Sequence, residues 1–183
     1  MSHDWRKIQS KEDLKEFIKL DLKSRGMEGL PTLYQVRKPI VYYTVLLRKV
    51  EYLQNTKSNV LGELRCKIAQ LRFKRLGAKL GFSIAPNTIA PGLYLVHWGS
   101  IVISSLARIG ENARVHSCVN ISGAPVIGDN VYFAPGSIVA GDVSIGDNVS
   151  IGANAVVTTS FSDNVIVLGN PARVVKKKAV STD

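Results

Sequence analysis

A period of six residues, running from Ile103 to Val157, constrains this chain more than any other feature. Ile103, Ile109, Val115, Ile121, Ile127, Phe133, Val139, Ile145, Ile151 and Val157 fall in one column at strict six-residue spacing. The residue after each is often small, as at Gly110, Ser122, Gly128, Ala134, Ala140, Gly146 and Gly152. The fourth residue after each is small or branched, as at Ala113, Val119, Pro125, Val131, Ser137, Val143, Val149 and Ala155. A helix repeats every 3.6 residues and a strand every two, so this spacing fits neither. It suits short straight segments joined by corners, with branched side chains inward and small residues expected where the backbone bends. Three segments close a triangular coil of eighteen residues. Stacked coils pair strand on strand at about 4.8 Å, and each covers the apolar face of the next. The expected fold is mainly β, a parallel β-helix of hexapeptide repeats with an N-terminal α-helical region.

Three further stretches carry a family likeness. They are Gly92-Leu-Tyr-Leu-Val-His97-Trp-Gly-Ser-Ile-Val102, Ile151-Gly-Ala-Asn-Ala-Val-Val157 and Gly169-Asn-Pro-Ala-Arg173. With the repeat they resemble the hexapeptide acyltransferases, in the serine acetyltransferase-like branch, over roughly residues 81–177. The resemblance implies a left-handed coil, acetyl transfer from acetyl-CoA to a hydroxyl, and a homotrimer with the donor in a groove between subunits. It implies His97 as the base that takes the proton of the attacking hydroxyl, a task suited to an imidazole titrating near neutrality. It also implies that Gly152, Ala153 and Asn154 form the backbone ledge along the pantetheine arm, with Pro171, Ala172 and Arg173 at the adenine end. Arg173 and the lysines from Lys176 could then neutralise phosphates.

The chain departs from that family in two places. The relatives' orienting aspartate, about fourteen residues before the histidine, is replaced by Ser83, and no carboxylate lies between Glu63 and Glu111. Ser83 or a backbone carbonyl is therefore expected to fix the His97 tautomer. The relatives' glycine-rich loop with a second histidine is missing, because Ser122-Gly-Ala-Pro125 passes straight into the next repeat. His116 follows the inward Val115 and is expected to face outward, as an acceptor ligand, a partner in proton transfer or a plain surface corner. Strict extrapolation of the period would turn position 97 inward. Asn120, Tyr94 and Trp98 flank the histidines; they are read either as packing residues or as an acceptor lining in which Trp98 stacks on a sugar ring.

The two departures favour a sugar hydroxyl, as in surface polysaccharide biosynthesis, as the acceptor. Serine O-acetylation for cysteine biosynthesis is the alternative, and a non-catalytic hexapeptide scaffold is the alternative of another class. No metal is expected: the metal-binding relatives need three histidines per site, and this chain has His97, His116 and a remote His3.

Composition narrows the setting. The chain has 183 residues, enough for one domain or one domain plus a small accessory region. Cys66 and Cys118 are too few for a disulfide framework and lack metal spacing, which points to a reducing, cytoplasmic setting. The N-terminus has no apolar stretch of the signal-peptide kind, and the apolar run Ile40–Leu47 is far short of the ~20 residues of a membrane span.

The net charge of +10 lies wholly in residues 1–82, with 18 basic and 8 acidic residues, against 6 and 6 in the remainder. This half is read either as a solvated basic face or as a weak contact with an anionic inner membrane face. Nucleic acid is not expected, since no recognition motif accompanies the charge.

Three helices are read in the N-terminal region, over residues 5–25, 34–54 and 60–76. The first carries Leu14, Ile18 and Leu22 as its stripe. The last carries Val60, Leu61, Leu64, Ile68 and Leu71, and Gly77 and Gly81 end it. They are expected to pack on the base of the β-helix and on neighbouring chains. The divisions are residues 1–81, the β-helix 82–175 and a basic, mobile tail 176–183.

Overall fold

A computed structural model describes residues 7–179; His3 and the last four residues lie outside them. Ser10 opens the first helix, α1 (Lys11–Lys23). Its hydroxyl accepts the Asp13 amide and the Asp13 carboxylate accepts the Ser10 amide, a capping box that sets the start at Lys11. Of the expected stripe only Leu22 is buried, beside Phe17 and Asp21. The stretch read as one helix from Tyr34 breaks at Lys38 into α2 (Tyr34–Arg37) and α3 (Pro39–Thr56), with Pro39 in the first turn, where its missing N–H is no loss.

Helix α4 (Val60–Leu80) begins at Asn59, whose side chain accepts the Gly62 amide, and ends at Gly81, in the left-handed region at φ 78°. Gly77, read as a terminator, stays helical. A Cβ there would stand 2.8 Å from the Phe82 carbonyl and 3.2 Å from the Tyr43 ring, so glycine is what lets the helix approach the first coil. The buried face is Cys66, Phe73 and Gly77. Phe73 stacks on Tyr43 at 4.7 Å and Tyr43 meets Phe82 edge-on at 4.9 Å. This ring cluster sets the rotation of the helix and turns the aliphatic stripe from Val60 to Leu71 outward, where it is exposed.

Fourteen short strands follow: β1 (Phe82–Ile84), β2 (Tyr94–Leu95), β3 (Ile101–Ile103), β4 (Arg108–Ile109), β5 (Arg114–Val115), β6 (Asn120–Ile121), β7 (Val126–Ile127), β8 (Tyr132–Phe133), β9 (Ile138–Val139), β10 (Ser144–Ile145), β11 (Ser150–Ile151), β12 (Val156–Val157), β13 (Val165–Leu168) and β14 (Arg173–Lys177). They form three parallel ladders, β1-β3-β6-β9-β12, β4-β7-β10 and β2-β5-β8-β11-β13, with β14 added antiparallel to β13. The result is a triangular prism of about five turns. All ten residues of the six-period column are inward and buried. The eighteen-residue register holds from β3 to β12. It stretches in the first coil, where Leu95 pairs with Val115, and shortens in the last, where Ile151 pairs with Val167.

The bends do not fall on the small residues after each inward position. They fall two residues further on, at Asn112, Cys118, Asn130, Asn148 and Asn154, all near φ 60°. Asparagine tolerates this conformation and its amide can bond to the next coil, as Asn112 does to Asn130 and Asn148 to Asn164. The glycines are small for another reason: a Cβ on Gly128 would run into Asp147 on the neighbouring coil.

Arg48, fully buried in α3, fastens the helices to the first coil. It bonds Asp21 through Nε at 2.7 Å and Glu51 through Nη1 at 3.0 Å, and it donates to the carbonyls of Ile89 and Ala90. Asp21 in turn accepts the amides of Gly92 and Leu93, both at 2.8 Å. Burial opposes the Arg48 charge, but Asp21 and Glu51 outweigh it. Burial also raises Glu51 above the ordinary carboxylate range, against the pull of Arg48.

Candidate active site

The corner that links the ladder of β2, β5, β8 and β11 to the ladder of β3, β6, β9 and β12 gathers most of the candidate residues. His97 and Trp98 lie in its first turn, His116 in the next and Gly152, Ala153 and Asn154 two coils beyond. The backbone ladder is continuous along it: His116 donates to the Phe133 carbonyl, Ala134 to Ile151 and Gly152 to Val167. From His116 to Gly152 is two coil spacings, about 10 Å.

His97 does not point into the core. The stretched first coil places Leu95, not residue 97, in the inward column, and leaves His97 exposed. Its ring centroid stands 6.1 Å from that of His116. Ser83 lies on β1 opposite Val102, in a different ladder from the strand that leads to His97. Among the described residues no hydrogen bond joins the two, so Ser83 does not take the place of the relatives' aspartate within one chain.

His116 faces outward, half-buried, and its Nε2 lies 3.2 Å from the Tyr132 hydroxyl. Burial holds its imidazole below the ordinary histidine value, helped by the Arg114 guanidinium and by His97. Arg114 sits over two rings, Tyr94 at 5.3 Å and Tyr132 at 5.7 Å. Arg25, from the turn after α1, covers the other side of Tyr94 at 5.0 Å. A column of alternating cations and rings therefore runs Arg25, Tyr94, Arg114, Tyr132 and ends on His116.

Arg25 also donates to the Leu95 carbonyl at 2.9 Å and to Thr44 at 3.1 Å. Burial pushes its pKa down to about 10, against Asp21 and Tyr94. This arginine is absent from the sequence reading, as is the Asp21–Arg48–Glu51 clamp. The one available signal was Arg48 itself, a charge set inside the apolar stretch of α3.

A cleft of about 400 Å³ is lined in part by Arg25, Arg37, Lys38, Tyr94, Val96 and Trp98; it takes in both chain neighbours of His97 but not His97 itself. Tyr94 and Trp98 thus share one concavity, and Trp98 is 62% exposed. Asn120 is not among the lining residues; it begins the next face, paired with Val102 and Ile138.

At the far end, the amides of Gly152 and Asn154 are committed to the carbonyls of Val167 and Pro135. Of the three ledge residues only Ala153, exposed, has an amide outside the ladder. Ala172 is buried and donates to Val156, which brings Pro171 and Arg173 over the same corner, both exposed. Lys176 is exposed on β14, opposite Ile166. The tail read as mobile from Lys176 thus begins as strand, and Lys178 is bonded to Asn148 and Asn164. No group of three metal-ligating side chains occurs among the described residues.

The prism of stacked coils thus carries most of its polar candidates on one corner. Residues 124–159 match the family of bacterial transferase hexapeptide repeats. The chain is similar to serine acetyltransferases. It is 37% identical over 106 residues to that of Staphylococcus xylosus, covering 53% of this chain and 49% of the relative. It is 36% identical over 107 residues to that of Staphylococcus epidermidis, covering 54% and 50%. The chain therefore spans about half the length of the curated relatives it matches. Among solved structures, the serine acetyltransferase of Neisseria gonorrhoeae superposes with a TM-score of 0.68 at 22% identity, over 93% of this chain and 67% of that one. A serine acetyltransferase in complex with CoA gives 0.70 at 19%, over 90% and 70%. These structures establish the fold as the left-handed parallel β-helix.

Proposed function

We propose that the chain is an acetyl-CoA-dependent O-acetyltransferase with His97 as its base. The observation that carries the reading is the exposed His97 on the same corner of the prism as Gly152–Asn154 and Pro171–Arg173. The acceptor hydroxyl gives its proton to the His97 imidazole as its oxygen attacks the thioester carbonyl carbon. The C–S bond then breaks, and the thiolate leaves with the proton returned by the imidazolium, giving CoA thiol and an O-acetyl ester. His116, kept neutral by its surroundings, sits close enough to bond an acceptor held against His97. The Ala153 amide and the exposed Arg173 and Lys176 supply donors for the arm and phosphates of the co-substrate. The working form is proposed to be a homotrimer in a reducing, cytoplasmic setting, which suits the exposed free thiol of Cys118.

The named relatives make serine the first acceptor to test, ahead of the sugar hydroxyl favoured by the sequence. The sugar reading keeps one observation in its favour, the cleft lined by Tyr94 and Trp98, in which the exposed Trp98 offers a stacking surface. A thiol-release assay with acetyl-CoA, run against serine and against a panel of monosaccharides and sugar nucleotides, with the product mass determined, decides between them. Transfer to no hydroxyl in either group, with the fold intact, would leave the scaffold reading in its place.

A further inference from the structure

We infer that the outward face of α4 seats the protein on an anionic lipid surface, with its aliphatic stripe entering the headgroup boundary. The stripe is unpartnered among the described residues: Val60 is 85% exposed, Leu64 53%, Ile68 45% and Leu71 50%. These residues recur at steps of four and three and so share one face of the helix. Cys66, Phe73 and Gly77, which pack inward, lie on the opposite face. The ring cluster around Tyr43 and the close approach at Gly77 hold that rotation, so the stripe cannot turn inward without undoing both.

The stripe has a cationic border on each side. Arg65, Arg72 and Lys79 follow one edge at seven-residue steps, and Lys67 and Lys74 follow the other; all five are exposed. Arg75 stands within the stripe, also exposed. The one acidic residue of the helix, Glu63, is 3.9 Å from Lys57 and stands at the head of the Lys67 row, leaving the other residues of both rows cationic. An apolar strip between two cationic rows is the arrangement of helices that lie in a membrane interface. No helix among the described residues is long and apolar enough to cross a membrane, which leaves the interfacial position.

The charge also decides against the simplest rival, a second copy of the chain face to face. That pairing would oppose two sets of cationic rows with only Glu63 of each copy to offset them, whereas an anionic bilayer offers both counter-charge and an apolar layer.

The test is co-sedimentation of the full chain with phosphatidylcholine vesicles, with and without phosphatidylglycerol, across a salt series. The expected result is binding to the phosphatidylglycerol vesicles alone, weakening as salt rises. Leu64→Gln with Ile68→Gln should reduce binding about tenfold, and Lys67→Gln with Lys74→Gln should do the same. All four side chains are exposed, so both variants should keep the wild-type circular dichroism and melting temperature. Absence of sedimentation at low salt overturns the inference. So does binding that the charge variant loses but the apolar variant keeps, which would mean that nothing enters the bilayer. A wild type that ignores vesicles, and whose oligomeric mass falls in the apolar variant, would make the face a subunit interface instead.

Discussion

The Tyr132 hydroxyl lies 3.2 Å from Nε2 of His116, so the histidine nearest His97 is held from the next coil. This bond ends the cation and ring column that starts at Arg25, and it ties the helical region to the corner where acetyl transfer is proposed. The orientation of His116 depends on a side chain sixteen residues away, while His97 has no such tether among the described residues.

The first prediction concerns His97 itself. His97→Ala should lower kcat by about 10²–10⁴, the usual contribution of a positioned base. Binding of CoA, followed by calorimetry, should stay within a few-fold of wild type. Turnover within tenfold of wild type would remove His97 from the mechanism.

His116 should titrate below the ordinary histidine value, because burial, Arg114 and His97 all disfavour its charged form. Its imidazole is therefore neutral down to lower pH than a free histidine. Arg114→Gln should move the NMR titration of the His116 ring toward higher pH, and any acid limb of activity that depends on neutral His116 should move with it. An unchanged titration would show that Arg114 does not bear on the ring.

Arg48→Met would leave Glu51 in the interior without a counter-charge, and Asp21 with only Arg25 and the Gly92 and Leu93 amides, at a cost of about 3–5 kcal/mol. Glu51, already raised by burial, should then take up a proton in the folded state above the pH at which it does so unfolded. The folded form binds more protons, so the variant should regain stability as pH falls through that raised value. Denaturant melts at several pH values measure this directly.

Ser137 is buried with its hydroxyl unpartnered among the described residues, in a column otherwise filled by Val119 and Ala155. An unpaired buried hydroxyl costs about 1–3 kcal/mol, so Ser137→Ala should raise the melting temperature. A fall would mean that the hydroxyl has a partner in the assembled protein.

Ile145→Asp should unfold the C-terminal coils. Ile145 is 2% exposed in the dry column, and an unpaired carboxylate there costs several kcal/mol, a large part of a domain's stability. An unchanged melt would show that this column is not the core.

The six-residue column specified the prism by itself, because each coil repeats the same local demand, a branched residue inward and a corner soon after. No distant contact is needed to decide such a pattern, but the histidine segment could be placed on it only through its family resemblance, since spacing alone turned residue 97 inward. The sequence could not show how the ends of the repeat stretch. The two extra residues before Val115 turn Leu95 inward and leave His97 in the open, an adjustment set by how the first coil meets the helices. It could not show the rotation of α4 either. The aliphatic stripe is the more regular pattern, but Phe73 and Gly77 win the buried face through contacts with Tyr43 and Phe82, which are distant in the chain or lie beyond the helix. The same holds for Arg25, Asp21 and Arg48. Their roles arise from carbonyls and amides that only the folded first coil brings within hydrogen-bond reach, and tertiary structure alone decided them.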